Sequence, residues 1–171
     1  KNSKCRYSTI QNWAHNVLNL VTKRAIVDDG VTMEWIDGNI GSSVTMKYPA
    51  CILKGDNSSG TCITISVASN AQQQDSGARM IHLGKNTTSN IISKSIAKNG
   101  GNATYRGKVR IAKSAINSSA MVKCDTLILD SKSKSDTFPD NSVENSNSSI
   151  IHEATVSKIS EDNIFYLMSR G

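Results

Sequence analysis

The sequence predicts an all-β fold, and within that class a solenoid of stacked coils. Three observations lead there. Short strand-prone runs recur almost to the end of the 171 residues, the segments between them carry turn chemistry, and no amphipathic helix of ordinary length separates them. The runs lie at 44–48, 62–67, 80–83, 91–96, 108–111, 121–129 and 150–159, and most alternate apolar with polar residues, as half-buried strands do. Between them stand Lys54-Gly55-Asp56-Asn57-Ser58-Ser59-Gly60, Gly84-Lys85-Asn86-Thr87-Thr88, Lys98-Asn99-Gly100-Gly101-Asn102 and Ile116-Asn117-Ser118-Ser119, where Gly and Asn tolerate positive φ. Asp29-Gly30, Asp37-Gly38 and Asn99-Gly100 are the only candidate two-residue hairpin turns, which disfavours a sandwich built of tight hairpins. Small polar residues reappear at successive corners, as in stacked coils with polar ladders.

The end of the chain changes character. Ser160-Glu161-Asp162 reads as an N-cap followed by an acidic first turn, and Ile164-Phe165-Tyr166-Leu167-Met168 supplies an apolar cluster, so a helix is expected to begin there. The domain reading is a β-solenoid core over 1–159 and the start of a helical region over 160–171. The opening Lys1-Asn2-Ser3-Lys4 resembles neither an initiator nor a signal peptide, and the chain is expected to be a piece of a longer protein.

Composition narrows the function. Hydrophobic residues make up 37% and aromatics 5%, so the core is built from Ile, Val, Leu and Ala. The formal charge of +6 suits an anionic partner, but Lys47, Lys54, Lys85, Lys94, Lys108, Arg110 and Lys123 are scattered singly, with few aromatics to stack on bases. Nucleic acid is therefore not expected, and the scattered charges read as a solvated surface. No apolar run is long enough to span a bilayer. Cys5, Cys51, Cys62 and Cys124 lack zinc-site spacing and are read as free thiols in a reducing compartment.

Few residues suggest chemistry on their own. Asp125, Asp130 and Asp136 are the nearest approach to converging glycosidase carboxylates, and no GxSxG elbow exists for a serine hydrolase. Five Asn-x-Ser/Thr triplets, at Asn57, Asn86, Asn102, Asn117 and Asn147, are matches expected by chance in a chain this rich in Asn and Ser. Cys124 with His152 and Glu153 is more informative: a soft thiolate, a borderline imidazole and a carboxylate fall late in the chain on strand-like segments that stacked coils could bring together. The bland reading of this trio is a buried thiol and a hydrogen-bonded histidine.

A resemblance decides between them. Arg6-Tyr7-Ser8-Thr9-Ile10-Gln11-Asn12-Trp13, Asn19-Leu20-Val21-Thr22-Lys23-Arg24, Met46-Lys47-Tyr48-Pro49-Ala50-Cys51, Gln73-Gln74-Asp75-Ser76-Gly77-Ala78-Arg79, Lys123-Cys124-Asp125-Thr126-Leu127 and His152-Glu153-Ala154-Thr155 follow one another as signatures similar to the SufB/SufD family, on its SufB side. That resemblance implies a right-handed parallel β-helix. It also implies a scaffold without turnover of its own. The scaffold would pair with SufD or a second copy, work with the SufC ATPase, and receive persulfide sulfur from a cysteine desulfurase such as SufS with SufE or SufU. The iron-sulfur cluster would be held transiently, and a flavin is compatible with the full complex. Cys124 matches the family's cluster-assembly cysteine, Glu153 a carboxylate acting beside it, and His152 the neighbouring position, so that all three are candidate metal ligands. Lys23 matches a lysine of sulfur passage through the helix interior; the bland reading is a solvated charge at a strand end. The implied location is cytoplasmic, or organellar in a plastid-bearing source. Ile151 and Asp136 stand where relatives often carry Glu and His, and His15 reads as a loop residue. The competing class is a secreted β-helix carbohydrate-active enzyme or adhesin, which would need converging carboxylates, glycans or disulfides.

Overall fold

Alternating strands need two faces, one toward a core and one toward water, and coiling the chain supplies both. The computed structural model describes residues 2–170; the outermost positions of the two expected regions, Lys1 and Gly171, lie outside the described residues. In chain order the strands are β1 (Lys4–Trp13), β2 (Leu18–Val21), β3 (Arg24–Val27), β4 (Thr32–Gly41), β5 (Val44–Lys47), β6 (Ala50–Leu53), β7 (Ser59–Ser69), β8 (Gln73–His82), β9 (Thr88–Lys98), β10 (Asn102–Ile111), β11 (Ser119–Ile128), β12 (Lys134–Val143) and β13 (Ser149–Lys158). One helix follows, α1 (Glu161–Ser169).

Every described pairing is parallel, and no consecutive strands pair. Sheet A runs β1-β4-β7-β9-β11-β13; sheet B runs β12-β10-β8-β5-β2, with β3 and β6 continuing its inner coils beside β8. The chain thus alternates between two sheets and returns one rung lower each time, which is the expected parallel β-helix. Asp37-Gly38, a candidate hairpin turn in the sequence, instead lies inside β4.

Corners explain why the coils stack. Asn57, Asn86 and Asn117 occupy equivalent positions two residues before β7, β9 and β11, each with φ between 55° and 57°. Asn accepts that left-handed geometry more readily than other residues with a Cβ. Next to them runs a hydroxyl ladder: the Thr87 amide donates to Ser118 Oγ at 3.0 Å and the Ser118 amide donates to Ser148 Oγ at 3.0 Å. Ser160 caps α1, its hydroxyl accepting the Asn163 amide at 3.3 Å, as the sequence predicts.

Burial divides the interior lengthwise. On one side Met33, Trp35, Cys51, Leu53, Met80, Ile91, Val109, Ile111 and Val122 form an apolar core, which also takes in Cys62, Tyr105 and Cys124. On the other, the inward positions are polar, and these position the site.

Candidate functional site

The register of sheet A sets one inward row as Thr9, Asp37, Thr64, Ser93, Cys124 and Ala154. The next is Gln11, Asn39, Ser66, Ser95, Thr126 and Val156. Facing them from sheet B are Lys47, Ser76 and Tyr105. Asp37, Thr64, Ser66, Ser76 and Ser93 are all buried, so the first coils carry a polar column beside the apolar core.

At its upper end sits a group of charges. Asp37 receives Lys23 Nζ at 2.7 Å and Lys47 Nζ at 2.8 Å, and Thr9 Oγ1 also donates to it. Lys47 is 1% exposed and Lys23 10%, which overturns the expectation of Lys47 as a scattered surface charge and the bland reading of Lys23 as a solvated one. Burial by itself would raise the Asp37 carboxyl; hydrogen bonds from Lys23, Lys47 and Thr9 outweigh it and hold the group below the usual carboxylate range. Burial also lowers Lys47, against the pull of Asp37. Two ammonium groups share one carboxylate, so the protonated cluster carries an excess positive charge in a water-poor interior, an arrangement that favours anions.

From this cluster the polar contacts step along the axis. Lys47 Nζ donates to Asn39 Oδ1 at 3.3 Å, Asn39 Nδ2 to Ser66 Oγ at 3.5 Å, and Ser66 and Ser76 meet at 3.4 Å. Further along, Ser95 and Thr126 share a hydrogen bond of 2.7 Å.

Cys124 lies in the first row one rung before Ala154, 4% exposed and packed into the apolar core. Burial pushes its thiol up to about 11, partly offset by the Tyr105 hydroxyl beside it. In this state the sulfur is a protonated thiol at neutral pH, and a nearby cation or metal is needed to convert it to the reactive thiolate. The buried Tyr105 hydroxyl has the Cys124 sulfur as its one polar neighbour among the described residues. On the next rung His152 pairs in register with Val122 and Glu153 with Lys123. Strand alternation therefore turns His152 to the interior side with Cys124 and Glu153 to the outer side. His152 Nδ1 meets Asn141 Nδ2 at 3.3 Å, and its Nε2 is buried without a partner. Glu153 stands 3.7 Å from Lys123 Nζ at the surface. Thiol and imidazole share a face, while the carboxylate lies through the strand from them. Among the described residues, no three His, Cys, Asp or Glu side chains are grouped to hold a metal.

Other candidates resolve as structure. Asp130 is a corner brace, accepting from the Asn99, Lys132 and Ser133 amides and from the Ser133 hydroxyl. Asp125 faces outward on β11 and Asp136 is exposed on β12, so these carboxylates do not converge in a groove. His15 lies in the turn after β1. All four cysteines are free thiols, as expected. Sequence reasoning missed Asp37, Lys47 and Tyr105. The available signal was a Lys and an Asp at inward positions of alternating strands, which only the register reveals.

The chain matches the family described as SUF system FeS cluster assembly, SufBD core domain, over residues 1–171. It is 58% identical over its whole length to the iron-sulfur cluster assembly protein SufB of Bacillus subtilis (strain 168), covering 37% of that protein. Similar values hold for an iron-sulfur cluster assembly SufBD family protein of Staphylococcus epidermidis (strain ATCC 12228), 56% identical with 37% of its length covered. A SufBD family protein of Mycobacterium tuberculosis (strain CDC 1551 / Oshkosh) is 54% identical over 169 residues, 99% of this chain and 20% of the relative. The chain thus spans well under half of each of these relatives.

Proposed function

This chain belongs to the SufBD core family of the SUF iron-sulfur cluster assembly system, and from that premise we propose that it is the scaffold region that carries sulfur inward and holds the nascent cluster. The observation that supports this reading is the inward row that leads from the Lys23–Asp37–Lys47 cluster through Thr64 and Ser93 to Cys124, where it meets the apolar core. Buried polar side chains cost free energy unless satisfied, and an aliphatic interior would serve stability better. A column retained along the axis, beginning in an excess of ammonium groups and ending at a thiol, suits the movement of an anionic persulfide. Lys23, with Lys47 and Asp37, would stabilise that anion at the start. Cys124 would receive the sulfane sulfur, a thiolate attacking the outer sulfur of the arriving persulfide and releasing the donor as its thiolate.

For the iron, Cys124 and His152 provide the soft and borderline donors on one face. Glu153 provides a carboxylate from the outer side of the same strand, once Lys123 releases it. The cluster is cargo here, held transiently. The unpaired Nε2 of His152 supplies a polar atom ready to meet it.

The rest of the assembly follows from family membership. The partners would be SufD or a second copy, the SufC ATPase, and a desulfurase such as SufS with SufE or SufU. The location would be cytoplasmic, or organellar in a plastid-bearing source, and the scaffold would have no turnover of its own. No described helix is long and apolar enough to cross a membrane. Two depressions of about 490 and 560 Å³ are open grooves on the outer sheet faces rather than slots between elements, and we assign no flavin to these residues.

Cys124→Ser in the full-length protein tests the reading. Cluster reconstitution should be lost while the far-UV spectrum and melting temperature are retained; an unchanged cluster yield would contradict it.

A further inference from the structure

Sheet B gathers cations on its outer face in a way that strand stability does not explain. Arg106, Lys108 and Arg110 alternate along β10 and point outward together, and Arg79 of β8 stands directly beside Lys108 in the register. Like charges opposite one another on neighbouring strands destabilise a sheet. The β10 cations are offset by acids: Arg106 Nε lies 2.8 Å from Asp75, Lys108 Nζ 2.7 Å from Asp140 and Arg110 Nε 2.7 Å from Glu144. Among the described residues Arg79 makes no ion pair, and its guanidinium lies 5.6 Å from the centre of the Tyr48 ring.

This uncompensated cation lines an open depression of about 560 Å³. Tyr48 and Phe138 also line it, the latter with the Arg106 guanidinium 4.4 Å from its ring centre, and Met46 adds a side chain that is 42% exposed. A guanidinium stacked on a ring keeps its N–H edge free, and that edge meets a carboxylate with two parallel hydrogen bonds. Exposed Met46 and Phe138 at the same place give an apolar chain segment something to bury.

Charge selects the ligand. Arg79, Arg106 and Lys108 stand against Asp75 and Asp140, so three cations face two carboxylates and one positive charge is left over. A single carboxylate balances that charge, whereas a run of phosphates would press its own charges against Asp75 and Asp140. Shape agrees, because a depression open along the sheet suits an extended segment better than an enclosed small molecule. We propose that the groove of Met46, Tyr48, Arg79, Lys108 and Phe138 binds an extended segment of a partner protein, with one acidic side chain on Arg79 and apolar neighbours on Met46 and Phe138.

A double-mutant cycle on the full-length protein tests this. The probe is a short, fluorescently labelled peptide of Leu and Ser with one central Glu, and its counterpart carries Gln there. Arg79 and Phe138 are both exposed, so substituting them leaves the core intact. Anisotropy titrations are expected to show saturable binding of the Glu peptide. Arg79→Ala and the Gln counterpart should each weaken it about tenfold, equivalent to roughly 1.4 kcal/mol, with no further loss when the two changes are combined. Phe138→Ala should weaken both peptides alike, and Lys94→Ala on the outer face of sheet A should leave binding unchanged. The proposal is overturned by absence of saturable binding, by equal affinity for the two peptides, by additive losses in the cycle, by an equal loss in Lys94→Ala, or by displacement of the Glu peptide by a single-stranded oligonucleotide. None of these readouts involves sulfur or iron, so they stand apart from the outcome at Cys124.

Discussion

His82 shows how far a single side chain in this fold is fixed by its neighbours. It is fully buried, with Nδ1 2.8 Å from Thr87 Oγ1 and Nε2 2.9 Å from Ser89 Oγ. Burial pulls its pKa down to about 4, so the folded chain holds it neutral. An unfolded histidine titrates near 6.5, so the unfolded state binds the extra proton between those values. The stabilisation is therefore complete above about pH 6.5 and is lost as pH falls toward 4, by on the order of 3 kcal/mol. Urea titrations at pH 7 and pH 4.5 should show this loss in the wild type and a flatter dependence in His82→Gln. Equal slopes for both would mean that another group governs acid stability. At this scale the sequence was legible for Cys124, His152 and Glu153 as chemical types and silent about direction. Parity within β13 sends His152 inward and Glu153 outward, and no single-strand pattern says which rung Cys124 faces.

Among elements, strands with strict alternation could be read directly, which is why β7, β9 and β11 fall where the pattern places them. Others could not. The strand β12 is largely polar and contains Pro139, so its sequence reads as loop; among the described residues it pairs with β10 alone, the kind of position where proline is found in sheets. The strand β4 was obscured by Asp37-Gly38, which signals a turn unless the carboxylate has two lysines to meet inside. The corners were legible in composition, and their strain gives a prediction. Asn117 has φ of 57° and no described side-chain hydrogen bond of its own. Asn117→Ala should cost about 1 kcal/mol, lowering the melting temperature by roughly 2–4 °C, while Asn117→Gly should be nearly neutral. If Ala were tolerated as well as Gly, backbone geometry at this corner would not limit stacking.

Over the whole molecule the class of fold followed from spacing and turn chemistry, whereas the polar column did not. It depends on coils 27 to 31 residues long bringing Asp37, Thr64, Ser93 and Cys124 into one row, a register set jointly by every corner between them. Stability and function pull apart along this axis: one side of the interior is apolar and holds the coils together, and the other gives up that gain to keep a polar route with charge at its start. Lys23→Met tests that division most directly, since it keeps the side chain's length, removes one ammonium and leaves the Lys47–Asp37 pair in place. With a desulfurase supplying labelled persulfide to the full-length protein, sulfane sulfur on Cys124 should fall about tenfold, the effect of roughly 1.4 kcal/mol of lost anion stabilisation, with the melting curve little changed. Wild-type labelling of Cys124 in that variant would contradict an interior route for sulfur.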